Sequence, residues 1–178
     1  MNRREAAGRV LLVGIPYPAL DHGTADALRD LRPGGVILFG RNLERPEDLV
    51  GLVEDLRAVL RPPHLVALDQ EGGRVSRLRP WVGSTPSAAD LAARGEAAVR
   101  AAAVATGRAL HALGFNLDFA PVVDLRETDV TGVIGDRSFG SDPESVASLA
   151  GAFLDALQRA GVAGCLKHFP GIRDSDVD

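Results

Sequence analysis

Short apolar runs alternate with longer amphipathic stretches along this chain, and the alternation predicts an architecture. Apolar runs at residues 10–15 (VLLVGI), 35–39 (GVILF), 65–68 (LVAL), 115–123 (FNLDFAPVV) and 162–166 (VAGCL) are each bounded by turn residues. The compact ones do not alternate polar with apolar positions, which is the pattern of strands covered on both faces in a parallel sheet. Helical patterns lie between them. Residues 47–60 put Leu49, Leu52, Val53, Leu56 and Leu60 on one face, with Pro46 where a first helical turn tolerates it. Residues 88–113 are alanine-rich, with Gly95 and Gly107 as candidate interruptions and Gly114 as a stop. Residues 142–160 carry the stripe Val146, Leu149, Phe153 and Leu157. They open on Ser141-Asp142-Pro143-Glu144, which reads as a capping box with proline in the first turn. A shorter helix is expected over 24–31, closed by Pro33-Gly34-Gly35.

Strand, helix, strand, helix is the order of parallel βαβ units, so an α/β fold is predicted. Polar residues then fall in a telling place. The second run leads into Gly40-Arg41-Asn42, the third into Asp69-Gln70-Glu71-Gly72-Gly73-Arg74, and the fifth into Lys167-His168, while the fourth carries Asp118 and then Asp124. In parallel α/β folds ligands bind at the carboxyl ends of the strands.

Composition narrows the picture. With 178 residues, 46% hydrophobic and 25% charged, the chain reads as an ordinary globular protein with room for one sizeable core. Aromatic residues are only 4%, so that core is aliphatic. A net charge of −4 argues against a nucleic-acid clamp. The lone Cys165 makes no internal disulfide, which points to a reducing, cytoplasmic setting. The apolar stretch 10–20 contains Pro16 and Pro18, is too short to span a bilayer, and is followed by Asp21-His22 rather than a small-residue cleavage site. It reads as a first buried strand, and no membrane partner is expected.

Asp69 sits directly after an apolar run, and Gly72-Gly73 would let the backbone approach a ligand closely. Arg74 and Arg77 read equally as surface charges or site cations. Asp136-Arg137 could form an ion pair inside 126–142, the longest stretch without periodicity. Lys167-His168 directly after a strand would be costly without partners. His22, His64 and His111 read as surface or helix residues. No serine elbow, phosphate loop, dinucleotide fingerprint or zinc spacing is present. Asp69, Glu71, Asp118 and Asp124 leave a divalent cation as a minor reading, since they lack tight ligand spacing.

Five stretches carry a resemblance: GVILFGRNL (35–43), ALDQEGGRVSRLR (67–79), LGFNLDFAPVVDL (113–125), VIGDRSFGSDPE (133–144) and CLKHFPG (165–171). In this order and spacing the chain resembles glycoside hydrolase family three, within it the bacterial β-N-acetylhexosaminidases. The resemblance runs from about Gly35 to the last residue. It implies a (β/α)8 barrel of the TIM type. Such a barrel takes about 250 residues, so residues 1–178 would be a single, incomplete domain with roughly the first five β/α units. The implied activity is retaining hydrolysis of terminal β-linked N-acetylglucosamine from cell-wall fragments, through a covalent glycosyl-enzyme. Asp69 would hydrogen-bond sugar hydroxyls, Arg77 and Arg137 would line the subsite of the terminal sugar, and Lys167 and His168 would contact its hydroxyls. No metal or organic cofactor is implied, and the one partner is a small carbohydrate.

The chain departs from the family after Lys-His-Phe-Pro-Gly. There the family reads His-Gly-Asp-Thr, two variable residues and Asp-Ser-His, whereas here Ile172 and Arg173 stand in place of His-Gly. By spacing, Asp178 falls on the aspartate that partners the acid/base histidine. That histidine and the nucleophilic aspartate are expected beyond residue 178. The competing expectations are a non-catalytic sugar-binding remnant and a different barrel enzyme, such as an aldolase using Lys167 as a Schiff-base amine.

Overall fold

The computed structural model describes residues 2–126 and 132–172. Chain order is α1 (Arg3–Arg9), β1 (Leu12–Gly14), α2 (His22–Leu31), β2 (Gly35–Ile37), α3 (Pro46–Val59), β3 (Leu65–Leu68), β4 (Gln70–Gly72), β5 (Val75–Ser76), α4 (Arg79–Val82), α5 (Ala88–Arg94), α6 (Glu96–Ala112), β6 (Leu117–Asp118), α7 (Pro143–Arg159) and β7 (Ala163–Gly164). Five strands form one sheet in the order β1-β2-β3-β6-β7, and every neighbouring pair is parallel. Each strand therefore adds beside its predecessor, with helices in the crossovers. This is the α/β arrangement expected from the strand–helix alternation, five parallel strands in chain order with the β4–β5 hairpin inserted between β3 and β6.

The core is aliphatic, as the composition requires. Val36, Val66, Ala67 and Leu68 are fully buried in the central strands, as is Leu38 just past the end of β2. Against them lie Leu49, Leu52, Val53 and Leu56 of α3, and Val146, Phe153 and Leu157 of α7. At about 25 cal/mol per Å² of apolar surface removed from water, each such leucine contributes roughly 1.5–3 kcal/mol.

Several boundaries differ from the sequence reading, each for a local reason. The alanine-rich stretch is two helices, broken at Gly95, whose φ of 87° closes α5 and opens α6. Gly107 does not interrupt α6. It sits where a Cβ would lie 2.6 Å from Ala160 Cβ, so its bare backbone lets α6 lie close on α7. The capping box at Ser141 is not formed. Asp142 is the N-cap of α7 and accepts from Ser145 N at 2.9 Å, one residue later than the Ser-x-x-Glu frame. Asp21 likewise caps α2 by accepting from Thr24 N, which starts that helix two residues early. The fourth apolar run contributes only two residues to the sheet. Just before them, the Asn116 backbone donates to Val66 O at 3.1 Å, and its side chain adds to that pairing: it accepts from Val66 N at 2.8 Å and donates to His64 O at 2.9 Å. Beyond them, Pro121 has no N–H to give, and pairing resumes as a single parallel bridge between Val122 and Lys167. Helix α1 and the antiparallel β4–β5 hairpin were not anticipated.

Candidate functional site

The rim at the carboxyl ends of β3, β6 and β7 is where the candidate residues gather. Asp69 follows β3 directly, Asp118 ends β6, and Lys167 and His168 lie three and four residues past β7. The hairpin folds over this rim. Gln70 donates its backbone N–H to Asp118 Oδ1 at 2.9 Å, and its side chain donates to Ser76 Oγ and accepts from Leu78 N, each at 3.0 Å. This fixes Glu71 above the strand ends. Gly72 and Gly73 make the turn with φ of 95° and 53°. A Cβ on either would collide with Pro86 or Ser87, so these glycines serve the packing of the turn against the chain before α5, not the approach of a ligand.

A second loop supplies Arg137, the last residue of a 3-10 turn, Gly135–Arg137. Arg74 anchors that loop by donating to the carbonyls of Gly132, Val133 and Ile134, and pairs with Asp136 at 3.2 Å. The expected Asp136–Arg137 pair is thus replaced by two separate ones. Adjacent side chains on a tight turn point apart, and each finds a partner on the hairpin.

Charges interlock at the centre. Arg137 binds Glu71 through two donors, Nε at 2.8 Å and a terminal nitrogen at 2.9 Å, a bidentate grip. Lys167 Nζ lies 2.5 Å from Glu71 Oε1 and 2.8 Å from Asp69 Oδ1. Arg77 approaches the other oxygen of Asp69 at 3.9 Å. Glu71 is the most enclosed of these, at 5% side-chain exposure, while Asp69 keeps 19% and Arg77 33%. The structure therefore joins Asp69, Arg77, Arg137 and Lys167 in one network, with His168 as the next residue along. Asp178 lies outside the described residues.

Burial and charge act differently on the two enclosed carboxyls. Burial works against a charged Glu71, but the Arg137 hydrogen bonds and Lys167 outweigh it and hold the carboxyl below its usual range. Asp118 has no such pair. Burial raises its carboxyl well above the ordinary value, against the pull of the Gln70 N–H and Lys167, and the neighbouring Asp69 and Glu71 push the same way. Its Oδ2 is buried without a hydrogen-bond partner among the described residues, as is the Nε of Arg77. A protonated Asp118 carries its own donor, which suits an oxygen with no donor facing it.

Sequence reasoning missed Glu71 as the centre of the cluster, having seen it only as one of four potential cation ligands. The Lys167 ammonium occupies the place between Asp69 and Glu71, and no group of three or more metal-type side chains is assembled among the described residues. Asp124, likewise weighed only as a cation ligand, instead holds His168. Its carboxylate is 2% exposed and accepts from His168 N, His168 Nδ1 and Ile172 N at 2.9, 2.7 and 2.6 Å. His168 and Asp124 line an open cleft of about 750 Å³ with Leu125, Leu166 and Phe169, a volume in the range of small-ligand sites.

No helix among the described residues is long and apolar enough to cross a membrane. Comparison with known proteins gives a consistent answer. The β-hexosaminidase of Alkalilimnicola ehrlichii is 42% identical over 168 residues, covering 90% of this chain and 48% of its own length. A glycoside hydrolase family 3 β-N-acetylglucosaminidase from Paenibacillus superposes with a TM-score of 0.92 at 33% identity, covering all of this chain and 35% of that one. NagZ of Neisseria gonorrhoeae, solved with N-trifluoroacetyl-D-glucosamine, superposes with a TM-score of 0.83 at 35% identity, over 93% of this chain and 50% of that one. The chain thus spans about half the length of the curated relatives it matches. Residues 4–178 match the glycosyl hydrolase family 3 N-terminal domain, and the chain belongs to that family.

Proposed function

We propose that residues 1–178 form a single unit, the first five strand–helix units of a barrel that removes terminal β-linked N-acetylglucosamine from cell-wall fragments. In this reading Asp69, Arg77, Arg137, Lys167 and His168 hold the terminal sugar. The acid/base histidine, partnered by Asp178, and the nucleophilic aspartate follow in the rest of the protein. The observation that carries it is the convergence of residues from four separate segments on one strand-end rim, where Lys167 meets Asp69 and Glu71. A sugar is recognised by paired polar groups, because a hydroxyl-binding site left unmatched is expensive. Asp69 and Arg77 keep exposure and unused hydrogen-bonding capacity, whereas Glu71 is saturated by its two cations. The relatives' names, and the gonococcal complex with an N-acylated glucosamine, support the same substrate class. The lone cysteine favours a reducing, cytoplasmic site of action.

The aldolase reading fares worse on geometry. A Schiff-base lysine presents a free lone pair to a carbonyl, and Lys167 Nζ is instead committed to two carboxylates. The test is hydrolysis of 4-nitrophenyl N-acetyl-β-D-glucosaminide by the protein read on through its frame past residue 178. Release of nitrophenol, lost in Arg137→Ala, supports the proposal. No release, with borohydride trapping of a carbonyl substrate on Lys167, would reverse it.

A further inference from the structure

Asp124 lies outside the cluster that grips Glu71, yet its carboxylate is as fully used. Both oxygens accept hydrogen bonds from the segment after β7: Oδ2 takes the backbone N–H of His168 and the ring Nδ1, and Oδ1 takes Ile172 N. Its backbone carbonyl accepts from Ser138 Oγ at 2.7 Å, one residue after Arg137. Asp124 thus ties the loop carrying His168 to the loop carrying Arg137.

We infer that Asp124 is a positioning residue that fixes the ring of His168 for the sugar. A carboxylate oxygen can only accept, so the hydrogen of the contacted ring nitrogen sits on Nδ1. In the neutral imidazole Nε2 then carries no hydrogen and is an acceptor on the far side of the ring. The ring is 25% exposed while the carboxylate holding it is 2% exposed, so one side of the imidazole is clamped and the other is open to the cleft. An acceptor at Nε2 takes the hydrogen of a sugar hydroxyl and leaves that hydroxyl's oxygen to accept from a neighbouring cation; the opposite tautomer would reverse the direction of the bond and use up a lone pair of that oxygen. The functional consequence rests on the sugar subsite proposed above, but the tautomer does not.

The experiment uses protein with ¹⁵N-labelled histidine and two readouts. Long-range proton–nitrogen correlation reports the His168 tautomer, and titration with N-acetylglucosamine reports affinity. Wild type shows hydrogen on Nδ1. Asp124→Ala moves His168 to the Nε2–H form and weakens sugar binding about tenfold or more. Asp124→Asn, which keeps one acceptor oxygen, falls between the two and decides the matter if the alanine variant does not fold. A His168 that keeps its Nδ1 hydrogen in both variants overturns the inference, as does a changed tautomer with unchanged affinity. A wild type that shows the Nδ1–H tautomer but binds no sugar refutes the subsite, and the tautomer alone then decides for Asp124.

Discussion

Lys167 Nζ lies 2.8 Å from Asp69 Oδ1, across 98 residues of chain. The pair joins the ends of β3 and β7, which are not neighbours in the sheet, since β6 lies between them. Only a side chain as long as lysine, carried where Lys167 bridges Val122, reaches over that middle strand. Both ends are poorly solvated, at 13% and 19% side-chain exposure. Removing one partner of such a pair costs more than the pair itself contributes, because it strands the other charge. Lys167→Met is therefore expected to destabilise the fold by about 3 kcal/mol, read as a lowered urea midpoint with an unchanged slope. A midpoint equal to wild type would show that the pair is not formed in solution.

Arg137 should not tolerate lysine. Its two bonds to Glu71 use the planar fork of the guanidinium, which an ammonium cannot reproduce. Arg137→Lys is expected to weaken N-acetylglucosamine binding about tenfold or more, by calorimetric titration, although net charge is conserved. Equal affinity would mean that charge alone is required there.

The two enclosed carboxyls give opposite dependences on pH. Glu71 is depressed in the folded state, so its contribution is full above the unfolded carboxyl value and is lost as pH falls through the folded one. Asp118 is raised, so the folded state holds a proton that the unfolded chain has released, and stability falls as pH climbs above the unfolded value. Asp118→Asn removes that penalty. Urea midpoints of wild type and variant should coincide near pH 3.5 and separate in favour of the variant toward pH 7, at no more than about 1.4 kcal/mol per pH unit. A variant that loses ground to wild type as pH rises would reverse the assignment.

Gly107 makes a structural prediction independent of the site. A valine there would push against Ala160 and the Leu157 carbonyl. Gly107→Val is expected to cost about 1–3 kcal/mol, whereas Gly151→Ala, on the open side of α7, should be neutral or slightly stabilising. Thermal melts of the two variants separate close helix packing from a general intolerance of helix glycines.

Strand β1, expected as a buried strand, is an edge strand with Val10 and Leu11 exposed, and β7 at the other edge is likewise only partly covered. The central strands β2 and β3 were legible because they are continuous aliphatic runs covered on both faces. The stripes of α3 and α7 were legible for the same reason: Leu49, Leu52, Val53 and Leu56, like Val146, Phe153 and Leu157, are buried where their spacing puts them. Positions governed by short-range hydrogen bonding were not. Ser141 and Asp142 offer overlapping caps, and the carboxylate took Ser145. The β4–β5 hairpin has only five strand residues around two glycines, too few for a periodicity to register. At the site, Asp69, Arg137, Lys167 and His168 stood out by following apolar runs or by matching family stretches. Glu71 and Asp124 lie in the same stretches but were read only as possible cation ligands, because a lone carboxylate in a polar loop looks alike whether it meets solvent or buried partners. Their roles exist only once β3, β6 and β7 are side by side.

The central claim is that one sugar ring touches residues from all these segments together. A crystal structure of the protein with N-acetylglucosamine tests it most directly. The account predicts a single ring at the strand-end rim within hydrogen-bonding distance of Asp69, Arg137, Lys167 and His168. A ring bound elsewhere, or one meeting only His168 and the outer cleft while the Lys167 network stays apart from it, would contradict it.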